Sequence, residues 1–209
     1  MQTSREMPTV DNPPLIQKTL SWLDRPLLSV IAVNWETILF AVILIFGIAS
    51  RFYDVGARVM SHDETIHVYH NSWNLYRGLG YRHDPLSHGP LQFHLIALSY
   101  FLFGASDTSG RLPAVLFSIA TIAFIWQYRR YLGRAGGMVA AVLMLISPYM
   151  LFYGRYVRNE ALVALFEVVT LWAILRYIET GKARYIYWMI AATSLNFAAK
   201  ETAFIYTAQ

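Results

Sequence analysis

Asp63 and Glu64 stand side by side, and all six histidines of the chain fall between residues 62 and 94. Two adjacent carboxylates repel, so one should have a raised pKa unless a cation or metal compensates. A carboxylate of that kind can take a proton from a hydroxyl acceptor as a general base. The plainer alternative is a solvated pair of loop acids. His67 and His70 are spaced i, i+3, and a set of this kind could ligate a divalent metal. No HExxH or other specific zinc pattern supports that, and histidines bonding backbone or headgroups would look the same. Four more polar groups punctuate the chain: His88-Gly89-Pro90, Arg111-Leu112-Pro113, Arg155 to Glu160, and Lys200-Glu201. Arg111 could hold a lipid phosphate, since guanidinium matches phosphate geometry, or simply snorkel to headgroups. Asn159 is placed to cap a helix that opens with Glu160. Lys200 interrupts an apolar run, which is costly unless it faces water, an acid or a phosphate.

The surroundings of these groups are apolar. The 209 residues are 56% hydrophobic and 14% charged, against about 25% charged in a soluble domain. The deficit points to lipid as the solvent. The net charge of +4 is dispersed. Its tightest cluster, Arg129, Arg130 and Arg134, lies beside an apolar segment and reads as topology rather than nucleic-acid binding. The absence of cysteine removes disulfides, thiolate metal sites and cysteine nucleophiles. Residues 1–11 are polar, and the first long apolar run starts too late for a cleavable signal peptide.

Residues 1–34 read as a cytoplasmic segment with an interfacial amphipathic helix around Leu20, Trp22, Leu23, Leu27 and Leu28. Five segments read as membrane spans: 35–52, 111–128, 136–154, 160–178 and the shorter 185–199. Residues 91–104 are too short to cross and suit an interfacial or re-entrant helix. If they do not cross, the Arg-rich segment 129–134 and the basic segment 176–184 share a side with the N-terminus, which the positive-inside rule makes cytoplasmic. The expectation is an all-α integral membrane protein of the cell membrane with five spans and a cytoplasmic N-terminus. Its extracytoplasmic loop 53–110 carries helices near 65–79 and 91–104. All five polar groups then fall at one membrane level. Glu167 lies two turns deeper than Glu160 and could pair with a neighbouring span.

The ordered set resembles the N-terminal module of GT-C glycosyltransferases, in the branch of protein O-mannosyltransferases and aminoarabinose transferases. It is closest to the membrane proteins described as flippase-associated in glycosylation clusters. The motifs are Asp63-Glu64 after the first span, His88-Gly89-Pro90-Leu91, Leu102-Phe103-Gly104, Arg111-Leu112-Pro113-Ala114, Arg155 to Glu160, and Lys200-Glu201. The similarity covers about residues 35–209. It implies transfer of a sugar from a polyprenyl-phosphate carrier to a hydroxyl on a protein or glycan, at the extracytoplasmic face. Asp63 matches the catalytic acidic position, Glu64 its acidic neighbour, and Glu160 an acidic position near the donor phosphate. Arg111, with Arg155, Arg158 or Lys200, would hold the departing phosphate. His88 stands where several relatives have lysine, and can donate a hydrogen bond, more strongly if protonated. A divalent metal, if one binds, would take Glu160, His67 and His70.

Members of this family are generally longer, and this chain stops at Ala208-Gln209 within an apolar segment. A C-terminal half or a larger membrane complex is therefore an expected partner, beside membrane lipids. A non-catalytic subunit derived from the same fold is the second reading, and a lipid-carrier flippase component the third.

Overall fold

The apolar runs fold as helices, and the polar punctuation gathers at two opposite ends. The computed structural model describes residues 34–82 and 88–208, and no strand occurs among them. Helix α1 is Trp35–Phe52. The next helical segment joins α2 (His62–His67), a π-helical turn (Val68–Ser72) and α3 (Trp73–Tyr76). Helix α4 is Pro90–Phe103 and α5 is Asp107–Phe124. A 3-10 turn (Ile125–Tyr128) leads into α6 (Arg129–Ile146). Then follow α7 (Pro148–Tyr153), α8 (Glu160–Thr180), α9 (Ala183–Ala199) and α10 (Ala203–Thr207). The expected N-terminal interfacial helix lies outside the described residues, as does His83, one of the six histidines.

Three stretches are long and apolar enough to cross a membrane: Trp35–Phe52, Asp107–Ile146 and Glu160–Thr180. The protein is an all-α, multi-pass membrane protein. The middle stretch folds back on itself. Gly133 has φ 73° and ψ 175°, a backbone conformation that glycine adopts without a Cβ clash. Ile122 and Ile125 of the outgoing arm therefore pack with Met138 and Ala141 of the returning arm and with Ile43 of α1. Beside this turn, Arg130 pairs with Glu179, which also accepts from Tyr131 at 3.2 Å and Arg176 at 2.7 Å. The basic segments 129–134 and 176–184 thus meet at one end. Between α8 and α9, Asn196 Nδ2 donates to the Glu167 carboxylate, so the deep acid is paired with the neighbouring helix.

Several boundaries differ from the sequence reading. The span expected to start at Arg111 starts at Asp107, because Ser106 and Ser109 cap it reciprocally through side chain and backbone. Pro113 is consequently interior rather than in the first turn. Its missing N–H leaves the Ser109 carbonyl free, and Ser99 Oγ of α4 donates to that carbonyl at 2.7 Å. The span expected at 136–154 breaks at Ile146 for the same reason. Pro148 cannot bond the Met144 carbonyl, so Arg51 Nη2 donates there at 2.9 Å and Nη1 to Leu145 O at 3.0 Å. The loop helix expected at 65–79 begins at His62 and ends at Tyr76, since Ser61 caps it. Asn159 does not act as a side-chain cap. Its backbone is already helical (φ −70°, ψ −14°) and its Oδ1 is buried without a hydrogen bond, whereas capping needs an extended backbone.

Candidate functional site

The two adjacent acids have opposite environments. The sequence Ser61-His62-Asp63-Glu64 is a capping box: Glu64 Oε2 accepts from Ser61 N at 3.1 Å while Ser61 Oγ accepts from Glu64 N at 3.4 Å. That cap turns Glu64 inward, where it is fully buried. Arg111 Nε and Nη2 grip both of its oxygens at 2.9 and 3.1 Å. Arg58 Nη2 adds a third cationic donor at 3.0 Å, and Val157 N reaches Oε1 at 3.3 Å. Burial alone would raise this carboxyl, but the Arg111 guanidinium and the backbone N–H groups of Ser61 and Val157 outweigh it and hold it below the usual carboxylate range. Arg111 is also spent: Nη1 donates to Val55 O at 2.7 Å and Arg58 O at 2.8 Å. The pair ties the first loop to α5 and to the segment before α8.

Asp63 points the other way and is 53% exposed. Its side chain faces Arg158 Nη1 at 3.5 Å. Arg158 Nε lies 3.6 Å from Glu160 Oε2, and Glu160 Oε1 accepts from Lys200 Nζ at 3.1 Å. Asp63, Arg158, Glu160 and Lys200 thus form a chain of alternating charge across three separate segments. His67 is one turn on from Asp63 and its ring lies 5.9 Å from that of His88, nearly parallel. His88 Nδ1 in turn lies 3.4 Å from Glu201 Oε2. His67 is buried, its Nδ1 has no hydrogen-bond partner, and its carbonyl accepts from Ser72 Oγ at 2.6 Å across the π turn. Burial first, then the positive potential of His88 and Arg158, push its pKa down to about 4, against the pull of Glu160 and Asp63. It is a neutral imidazole at neutral pH.

Local backbone explains how His88 reaches Glu201. Gly89 packs directly on the end of α9; a Cβ there would sit 2.7 Å from the Ala198 carbonyl carbon and 3.0 Å from that of Ala199. His88 itself has φ 66°, a conformation uncommon for a residue with a side chain and often found where position matters for function. Lys200 ends α9 with an extended backbone (φ −148°, ψ 130°), which turns its side chain toward Glu160.

Of the residues singled out in the sequence, Asp63, Arg158, Glu160, Lys200, His67 and His88 come together. Glu64 and Arg111 form the buried lock behind them, with every Arg111 nitrogen taken by protein, so a catalytic role for Glu64 or a phosphate role for Arg111 would require breaking it. Arg155 stands apart, donating from Nη2 to the Tyr53 carbonyl. His70 is exposed, and among the described residues no three His, Asp or Glu side chains group closely enough to hold a metal. His67 is buried and His70, in the π turn that follows it, is exposed. The sequence reading missed Arg58, whose pairing with Glu64 nothing local signals. It also missed the capping box Ser61–Glu64, which was legible in the spacing.

A family model described as dolichyl-phosphate-mannose-protein mannosyltransferase matches residues 87–209, more than half of the chain. The match takes in His88, Arg158, Glu160 and Lys200, while Asp63 precedes it and joins the site through the fold. No curated protein and no solved structure matches the chain. The chain belongs to the dolichyl-phosphate-mannose-protein mannosyltransferase family, membrane glycosyltransferases of the GT-C type that draw sugars from polyprenyl-phosphate donors.

Proposed function

We propose that the protein transfers a sugar from a polyprenyl phosphate to a hydroxyl of a protein or glycan, at the extracytoplasmic face, with Asp63 as general base. The observation that carries this is an exposed carboxylate beside a cation chain, with Arg158 and Lys200 held apart by Glu160. The acceptor O–H gives its proton to Asp63 as its oxygen bonds to the anomeric carbon. The bond from that carbon to the phosphate oxygen breaks, and the phosphate leaves with the electron pair. Arg158 and Lys200 face the developing charge, and His88 adds a hydrogen bond. A phosphate leaving group needs little protonation, so one base and a set of cations are sufficient chemistry. The opposite, arginine-rich end around Arg130 supports an extracytoplasmic placement of the site through the positive-inside rule.

The test is donor affinity and turnover in lipid with a radiolabelled polyprenyl-phosphate sugar. Lys200→Gln and Arg158→Gln should each weaken donor binding about tenfold or more, the worth of one charge-assisted hydrogen bond. Unchanged donor binding in both variants would remove the phosphate site from this cluster.

A further inference from the structure

A second cationic site lies outside the Asp63 cluster. A cavity of about 500 Å³ opens between the turn that follows α1 and the end of α7, lined by Tyr53, Asp54, Arg58, Phe152 and Arg155, with Arg111 at its wall. Asp63, Arg158 and Lys200 do not line it. Three guanidiniums line it, those of Arg58, Arg111 and Arg155, against one carboxylate among its lining residues, that of Asp54. Glu64 is fully used by Arg111 and Arg58. Among the described residues Arg155 has no carboxylate partner; its Nη2 reaches the Tyr53 carbonyl, and its Nε is shielded from solvent without a hydrogen bond.

A guanidinium nitrogen shielded from solvent with no carboxylate beside it is costly unless an anion completes the set. Arg58 also lines the cavity; its Nη2 donates to Glu64 Oε2 at 3.0 Å, and its guanidinium is centred 5.6 Å over the Phe152 ring and 5.3 Å over that of Tyr156. The cavity sits at the end of α1, the level at which lipid headgroups lie if α1 spans the membrane. We propose that this pocket binds a phosphate-bearing group through Arg155 and Arg58, as a site separate from the one that holds the sugar donor. Its charge selects a phosphate mono- or diester, and its size admits a headgroup. The proposal does not depend on Asp63 chemistry.

The test uses the whole protein. Thermal midpoints are compared in nanodiscs of phosphatidylcholine alone and of phosphatidylcholine with phosphatidylglycerol, and in detergent with inorganic phosphate. Wild type should be stabilised by phosphatidylglycerol, by inorganic phosphate, or by both; the first result alone identifies a lipid headgroup, and a response to inorganic phosphate identifies a site for the free anion as well. Arg155→Gln should weaken the response at least about tenfold in ligand concentration. Arg58→Gln, at a half-exposed side chain, should do the same and keeps the test valid if Arg155→Gln fails to fold. Lys182→Gln, an exposed cation at the opposite end, should respond as wild type does. No stabilisation in any arm, or equal stabilisation in the Arg155 and Arg58 variants and wild type, overturns the proposal.

Discussion

Glu64→Gln isolates the scaffold from the chemistry. The substitution keeps the volume but removes the charge that five donors surround, and it leaves Arg111, only 1% exposed, without its counterion. Breaking a buried pair from one side costs about 3–5 kcal/mol, because the remaining charge stays desolvated. At roughly 2–4 °C per kcal/mol for a chain of this size, the thermal midpoint should fall by about 6–20 °C. Arg111→Met should cost a similar amount. The double variant Glu64→Gln/Arg111→Met should be more stable than either single variant, since it strands no charge. By contrast, Asp63→Asn disturbs only an exposed contact at 3.5 Å, worth about 0–1 kcal/mol. The same pair predicts the acid limb. The Glu64 carboxyl lies below its unfolded value near 4.3. Its contribution is therefore complete above that pH and is lost as pH falls through the folded pKa. Differential scanning fluorimetry of the purified protein in detergent, for both variants and across pH, is the assay. The reasoning is refuted if Glu64→Gln and Arg111→Met melt like wild type yet abolish donor binding, which would return both residues to the substrate.

Three further outcomes follow from single contacts. His67, with a pKa pushed down to about 4 among His88, Arg158, Glu160 and Asp63, binds a proton in the unfolded chain before the folded one does. Its burial should therefore cost up to about 3 kcal/mol as pH falls from 6.5 to 4, and His67→Phe should flatten that part of the midpoint-against-pH curve. Gly89→Ala places a methyl against the α9 backbone; overpacking of about 1–3 kcal/mol and displacement of His88 should lower transfer activity more than the midpoint. Arg51→Met should strand the Met144 and Leu145 carbonyls and lower the midpoint by several degrees, which circular dichroism at increasing temperature would register.

The gathering of distant polar groups was legible because apolar spacing sets which loops share an end. Asp63 on α2, the segment Arg155–Glu160 that leads into α8, and Lys200 just past α9 come from separate parts of the chain but meet at one end. The helix at 91–104 was legible too, from its length and from Pro90 at its start. Which of Asp63 and Glu64 turns inward was readable from Ser61 three residues before Glu64, a local signal that a search for paired acids passes over. The role of Arg111 was not readable. An arginine two residues before a proline looks like a helix start at headgroup level, and only the partner contributed from 47 residues earlier shows that it is buried. Arg51 shows the same limit. Its work is to satisfy carbonyls released by Pro148, almost a hundred residues away. Long-range polar satisfaction leaves no periodic trace, whereas burial of apolar faces does.

The most direct measurement is sugar transfer from a polyprenyl-phosphate donor by the protein in lipid, wild type against Asp63→Asn, with donor binding measured on the same samples. The account predicts that Asp63→Asn folds, binds the donor and loses transfer by at least about a hundredfold, the usual worth of a positioned base. Transfer at the wild-type rate in Asp63→Asn, with donor binding intact, would contradict it.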